Sequence, residues 1–139
     1  MIEDADSSRG QMLRADHLFH VTLKYTRTAD VIKNTIKRLV NSLEYAITEI
    51  LEKRKVKKIP TIALMKADLL KRTFPKNKEI KELISFYLHL KKIDKGQYVT
   101  KDEYRKNVAI IVDDVRVDIP MLRALLDKTK EFVKLAHEF

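Results

Sequence analysis

The sequence predicts an all-α fold, an up-and-down bundle of four to five helices with one long N-terminal helix. The chain has 139 residues, a length that suits one hydrophobic core. It contains only 2 Gly and 3 Pro, so it has little turn-forming material for a fold of many strands. Hydrophobic residues make up 45% of it and recur in steps of three and four, the spacing of amphipathic helices. We therefore expect a single helical domain over residues 13–139.

The first twelve residues differ from the rest. Residues 1–12 are polar, contain Ser7, Ser8 and Gly10, and show no periodic apolar pattern. Chain termini without such a pattern are commonly poorly ordered. This composition predicts a mobile N-terminal arm.

A long helix is predicted to follow the arm. Apolar residues recur at helical spacing from Leu18 to Ile50, and no Gly or Pro interrupts the chain there. At about 1.5 Å per residue such a helix is roughly 55 Å long, so part of it is expected to project or to pair with a second copy. The weak helix formers Thr26 and Thr28 make residues 27–30 the place where a kink or break would fall.

Three further helices are expected between this helix and the C-terminus. A short helix is predicted from Thr61 to Lys71, and a third helix from the capping residue Asn77 to Gly96. Thr100 and Glu103 have capping-box spacing, which predicts a fourth helix that runs to about Val112.

The segment before the last helix is ambiguous. Residues 108–118 contain β-branched runs on both sides of Asp113-Asp114 and could hold a short extended segment. We expect the helix to reach about Val112 and a short extended connection to follow, with a small hairpin as the alternative. Asp118 and Pro120 are typical of a helix start and predict the last helix.

The positive charge is concentrated in one stretch. Residues 53–106 carry 17 Lys and Arg against 6 Asp and Glu, a net charge of +11, whereas each flank nets −1 and the chain totals +9. Such a block attracts polyanions. This concentration of charge indicates RNA as the ligand. The alternatives are a solvated helical surface that binds nothing and, less favoured, an anionic membrane.

Lys and Arg neutralise phosphates, and exposed aromatic rings stack on unpaired bases. Lysines outnumber arginines in the stretch, which favours non-specific contacts over base reading. The residues predicted to face phosphates are Lys53, Arg54, Lys55, Lys57, Lys58, Lys91, Lys92, Arg105 and Lys106.

Several classes of protein are disfavoured. The chain has no Cys, which excludes disulfides, thiolate metal sites and a Cys nucleophile, and fits the cytoplasm. No apolar run reaches the roughly 20 residues that span a bilayer, so a membrane location is not expected. A Gly-rich phosphate loop is absent, and no cofactor is expected.

Histidines supply few candidate sites. Asp16, His17 and His20 are the only local cluster of metal-ligand types, but three such residues without a second cluster are more often surface groups, so no metal is expected. His89 lies between two leucines and is interpreted as a core histidine.

The outline of the chain resembles the HEPN superfamily of small helical bundles and is similar to small archaeal proteins. The resemblance rests on a long helix that ends in Ala46-Ile47 to Glu52, a Pro-containing connection, a helix with Phe86-Tyr87-Leu88-His89-Leu90, and a closing amphipathic helix. It implies a bundle that dimerises and contacts or cuts RNA.

The cutting members share an Arg followed after four to six residues by a His, near the C-terminal helices. Here Arg14 and His20 are the only residues with that spacing, and they lie at the opposite end of the chain. His137 is preceded at a comparable distance by Lys130 and by no Arg.

These observations yield three hypotheses. The first is a non-catalytic RNA-binding protein, a homodimer through the long helix. The second is a homodimeric helical adaptor for a protein partner, in which the lysines play no part. The third is a HEPN-type ribonuclease that uses Arg14 and His20.

Overall fold

The computed structural model describes residues 6–139, which form five helices and one three-stranded sheet. The first helix, α1, covers residues 8–25 and consists of Ser8–His17, a π-helical turn at Leu18–Thr22 and a last turn at Leu23–Tyr25. The other elements, in chain order, are α2 (Ala29–Lys53), α3 (Ala63–Thr73), α4 (Lys78–Lys95), β1 (Tyr98–Lys101), β2 (Ala109–Val112), β3 (Val115–Asp118) and α5 (Ile119–Glu138).

The predicted single long helix is two helices. The chain leaves helical geometry at residues 26–28 and turns back, so that α1 and α2 pack against each other as an antiparallel hairpin. Thr28 is extended (φ −120°, ψ 158°), and its hydroxyl accepts a hydrogen bond from the Val31 N–H, which caps α2. The break therefore falls at the weak helix formers, because a threonine stabilises a helix start better than a helix interior.

The predicted arm is helical from Ser8 onward; residues 1–5 lie outside the described part of the chain. The Ser7 hydroxyl caps α1 by accepting from the Gly10 N–H at 2.9 Å. Ser8 is buried, donates to the Glu49 carboxylate, and accepts from the Ser42 hydroxyl at 2.7 Å. Polar contacts to α2, which apolar periodicity does not reveal, hold this segment.

The helix α2 is the centre of the core. Its apolar residues, among them Ile32, Ile36, Leu39, Leu43 and Ile50, are fully buried against α1, α3, α4 and α5. The predicted homodimer and adaptor both depend on an apolar face of this helix that is left free. Since that face is covered within the chain, neither hypothesis gains support from it.

Strict up-and-down order fails between α2 and α3. The Lys66 ammonium donates to Thr48 at 3.1 Å, and Phe74, just after α3, lies beside Arg54, just after α2. The two helices therefore run in the same direction, and residues 54–62 cross back between them.

The predicted fourth helix is wrong. Residues 98–118 form an antiparallel sheet in the order β1-β2-β3, so the fold is mostly helical but not all-α. The β-branched run of β2 is largely buried between its two neighbours, where pleated packing suits it better than a helix. Thr100 pairs with Ile110 instead of capping a helix, and the Glu103 carboxylate accepts from the Ala29 N–H at the start of α2.

Three predicted helix boundaries are confirmed. Asn77 caps α4 by accepting from the Ile80 N–H at 3.1 Å, and Asp118 caps α5 by accepting from the Met121 N–H at 2.9 Å. Gly96 ends α4 against the sheet, where a Cβ would collide with the Val112 side chain.

Candidate nucleic-acid interface

The predicted phosphate-facing residues do not form one surface. Lys53 is the last residue of α2, whereas the loop that carries Arg105 and Lys106 is bonded to the chain just before α2, since the Tyr104 N–H donates to the Arg27 carbonyl at 2.6 Å. The 25 residues of α2 span about 37 Å. The basic stretch of the sequence is therefore divided between opposite ends of this helix.

Two of the predicted cations at the C-terminal end of α2 have partners within the fold. The Lys53 ammonium donates to the carbonyls of Ala136 and His137 at 2.7 and 2.8 Å. These carbonyls lie in the last turn of α5, where the helix itself supplies no hydrogen-bond donors for them. The Arg54 guanidinium lies 4.7 Å from the Phe139 ring centroid and 6.0 Å from that of Phe74. These contacts join the ends of α2, α3 and α5.

A third predicted cation belongs to a polar cluster between α2 and α4. The Lys91 ammonium donates to the Glu44 carboxylate at 2.6 Å, and the Tyr87 hydroxyl donates to the same oxygen at 2.7 Å. Burial of Tyr87, reinforced by this hydrogen bond and by the Glu44 charge, raises the pKa of the phenol well above its ordinary value. The cluster is a structural tie between two helices, and Lys91 is engaged in it.

Lys92 lies on α4 near the sheet. It lines a cleft of about 300 Å³ together with His89 and with Asp113 and Asp114 of the β2–β3 turn. The two carboxylates make this cleft unsuitable for a phosphate. His89 is exposed, so its interpretation as a core histidine is wrong.

The remaining predicted cations at the C-terminal end of α2 are exposed. Lys55, Lys57 and Lys58 lie in the linker that leaves α2, and within residues 6–139 they have no ion pair or side-chain hydrogen bond. Lys55 and Lys58 adopt left-handed backbone conformations, with φ of 55° and 58°. The linker therefore presents three cations at the surface.

Further cations adjoin this linker. The contact between Arg54 and Phe74 places the end of α3 next to it, and with it Lys71, Lys76 and Lys78, which are exposed and likewise have no partner among the described residues. Residues 53–81 contain 11 Lys and Arg against 2 Asp and Glu, a net charge of +9, equal to that of the whole chain. We call the six cations the basic end: Lys55, Lys57, Lys58, Lys71, Lys76 and Lys78.

Sequence reasoning missed the second half of the basic end. Lys71, Lys76 and Lys78 lie within the charged stretch, and the charge count included them. Only the direction of α3, set by the crossing of residues 54–62, brings them beside Lys55, Lys57 and Lys58.

The candidate metal ligands do not come together. The Asp16 carboxylate accepts from the Lys130 ammonium at 2.6 Å and lies 3.5 Å from His20 Nε2, while His17 does not join them. No group of three potential ligands that could hold a metal ion occurs within residues 6–139. Asp16 is used to tie α1 to α5.

Arg14 and His20 are both exposed on α1. Six positions separate them along the helix, about 9 Å of rise. His20 packs edge-on against Phe19, with ring centroids 4.9 Å apart, and faces Asp16. The arrangement supplies no observation in favour of a ribonuclease, which stays a prediction.

Comparisons with family models, with curated proteins and with solved structures found no match. The resemblance to the HEPN superfamily therefore stays a prediction as well. In the part of the chain that the structure describes, no helix has the length and apolar character to cross a bilayer.

Proposed function

We propose that the protein binds RNA by non-sequence-specific contacts between the basic end and phosphates. The observation that carries the proposal is the set of six exposed cations without internal partners, in a segment that holds the entire net charge of the chain. Cations that stabilise the fold, such as Lys53 and Lys91, are separate from this set.

The chemistry of the basic end suits this role. Each phosphate that Lys neutralises releases a condensed counterion, which supplies affinity without base recognition. Lys is a flexible point charge without the planar fork with which Arg reads guanine, and all six side chains are Lys. The protein is therefore expected to tolerate many sequences and to lose affinity steeply as salt rises.

A charge-matched pair of variants tests the proposal. The triple variant Lys55→Gln, Lys57→Gln, Lys58→Gln removes three cations from the basic end. The control Lys37→Gln, Arg123→Gln, Lys128→Gln removes three exposed cations elsewhere. We expect the first to lower affinity for RNA at least about tenfold at low salt and to reduce the log–log salt slope by about 2, at roughly 0.7 per lost phosphate contact.

The control is expected to change affinity less than about threefold, since its cations do not belong to the basic end. Equal losses in the two variants would mean that net charge acts diffusely and would overturn the interface. No binding by the wild-type protein at low salt would overturn the function itself.

One observation favours the second candidate, a protein-binding adaptor. Ile62, Leu64 and Met65, at the start of α3, are 59%, 50% and 53% exposed. Exposed apolar groups that lie together are typical of contact surfaces. If the wild-type protein fails to bind RNA, this surface is the one to examine for a protein partner.

A further inference from the structure

Two tyrosines stand apart from the other three in the chain. The Tyr87 hydroxyl bonds Glu44, the Tyr45 hydroxyl bonds Asp6, and the Tyr98 ring lies under the Lys33 ammonium. Tyr25 and Tyr104 are 80% and 76% exposed, and neither their rings nor their hydroxyls have a partner within residues 6–139. The packing of the described fold gives no reason for two large aromatic rings at these positions.

The fold brings these two tyrosines together from distant parts of the sequence. Tyr104 donates its N–H to the Arg27 carbonyl at 2.6 Å, and Glu103 accepts from the Ala29 N–H at 3.3 Å. Tyr25 is two residues from Arg27, so chain geometry keeps the Cα atoms of the two tyrosines within about 14 Å of each other. The pair lies at the end of α2 opposite the basic end.

The backbone of the loop is unusual at the tyrosine itself. Tyr104 has φ of 67° and Asp102 has φ of 53°, both in the left-handed region. That region is disfavoured for a bulky residue, and such conformations persist where the surroundings impose them, often at functional sites. The N–H of this left-handed residue is the group that donates to the Arg27 carbonyl.

Five cations lie within three residues of one or the other tyrosine in the sequence. Lys24, Arg27, Lys101, Arg105 and Lys106 make no ion pair or side-chain hydrogen bond with described residues. Of the acids in the same segments, Asp102 accepts from the Asn107 amide at 2.9 Å and Glu103 caps α2.

Asp30 is the third acid of these segments. Residues 24–30 and 101–106 together contain five cations and three acids, a net charge of +2. The charge is modest compared with the basic end. We call the two rings and the five cations the tyrosine end.

We infer that the tyrosine end holds single-stranded RNA, with unpaired bases stacked on Tyr25 and Tyr104 and the neighbouring cations on the flanking phosphates. The inference rests on the proposed function and adds its substrate class. Aromatic rings bind any base through its π-face, whereas bases within a duplex are already stacked on one another. The tyrosines therefore select single strands, while the basic end attracts any phosphate backbone.

Ring-removing and ring-keeping variants test the inference. We would measure binding of an unstructured 12-nucleotide RNA, and of a duplex of the same length, to the variant Tyr25→Ala, Tyr104→Ala and to its control Tyr25→Phe, Tyr104→Phe. Both positions are exposed, so the variants are expected to fold, which circular dichroism would verify. Stacking on two rings predicts at least a tenfold loss of single-strand affinity for the Ala variant, with the salt slope unchanged.

Duplex binding is expected to change less than twofold, and the Phe variant is expected to keep the wild-type affinity because it keeps both rings. An Ala variant that retains single-strand affinity would overturn the inference. So would a Phe variant as weak as the Ala variant, since the hydroxyls would then carry the contact.

The two proposals fail in different ways. If wild-type protein binds neither RNA, the proposed function fails and the inference fails with it. If RNA binding is weakened by the lysine triple variant but not by loss of the tyrosine rings, the basic end stands and only the inference is overturned.

Discussion

The two ends of α2 use their aromatic rings in opposite ways. At the C-terminal end, Phe74 and Phe139 pack edge-to-face with ring centroids 5.1 Å apart, and Arg54 lies over both. At the N-terminal end, Tyr25 and Tyr104 are exposed and have no such partner. Both ends combine cations with aromatic rings, but only at the N-terminal end are the rings open to a ligand.

The difference shows that proximity of charge and ring along a sequence does not define a binding surface. In the C-terminal case the ring–cation contact joins three helices and leaves the neighbouring lysines as the exposed groups. At the N-terminal end, hydrogen bonds hold the backbone in place, and the side chains of Tyr25 and Tyr104 make no contacts of this kind within residues 6–139. The basic end supplies charge, and the tyrosine end supplies a surface for stacking.

Lys91, which belongs to neither end, provides the largest expected effect on stability at neutral pH. Lys91→Met leaves the half-buried Glu44 carboxylate without its cation, and we expect the free energy of unfolding to fall by about 2 kcal/mol. RNA affinity at 25 °C is expected to stay within about twofold of wild type. Urea denaturation and an RNA titration measure the two quantities.

The neighbouring exposed residue is the control for that variant. Lys92→Met is expected to change stability by less than about 0.5 kcal/mol. A large loss of RNA affinity in Lys91→Met, with stability intact, would restore Lys91 to the phosphate-facing set and contradict the division into two ends.

Tyr87 predicts a loss of stability in alkali. Its pKa is raised in the folded protein, so between pH 10 and 12 the unfolded chain releases a proton that the folded chain keeps. The contribution of this phenol to the free energy of unfolding is thus fully present below pH 10. Between pH 10 and 12 it falls by about 1.4 kcal/mol for each pH unit. Because lysines also titrate there, the measurement is the difference between wild type and Tyr87→Phe across this range.

Tyr25→Phe is the matched control for the alkaline experiment, because its hydroxyl is exposed and unpartnered. Its stability is expected to follow the wild-type curve. A Tyr87→Phe variant that also followed it would show that the Tyr87 phenol ionises as readily in the folded state as in the unfolded one.

The smallest expected effect concerns the backbone of the tyrosine end. Tyr104→Gly removes the penalty for a left-handed side-chain-bearing residue and is expected to raise the free energy of unfolding by about 0.5 to 1 kcal/mol. The same change is expected to weaken binding of single-stranded RNA because the ring is lost. Thermal melting and an RNA titration on one sample measure both.

Tyr104→Ala separates the two causes, since it removes the ring but keeps the strained conformation. It is expected to weaken binding without a gain in stability. If Tyr104→Gly neither weakened RNA binding nor raised the free energy of unfolding, the loop would be an ordinary turn. The contrast between the two ends would then disappear.

Local signals in the sequence predicted the helices that depend on local chemistry. The caps at Asn77 and Asp118 each involve residues within a few positions, and both are confirmed. The stop at Gly96 is confirmed as well, although the Val112 side chain that leaves no room for a Cβ there is distant in the sequence. The strand β1 was missed. The break before α2 and the hairpin about Asp113-Asp114 were predicted only as alternatives, because apolar spacing continues through residues 26–28 and the capping-box spacing of Thr100 and Glu103 favours a helix. Tertiary packing decided both.

The candidate site was predicted only in part for the same reason. Charge counting located the basic stretch but assigned Lys53, Arg54 and Lys91 to phosphates, although the fold uses them at helix ends and between helices. Contacts between residues as far apart as Lys53 and Ala136 decide which cations remain without a partner in the fold. No local pattern in the sequence encodes such contacts. The approach of Tyr104 to Arg27 is equally non-local.

The most direct test of RNA binding is a salt series with the wild-type protein and an unstructured RNA. If the six cations of the basic end each neutralise one phosphate, the logarithm of the association constant falls linearly with the logarithm of salt concentration. Their contribution to the slope is about −4, and contacts of the tyrosine end with phosphates make the slope steeper. A flat salt dependence, or no binding at low salt, would contradict the account and leave the charge of this chain without a ligand.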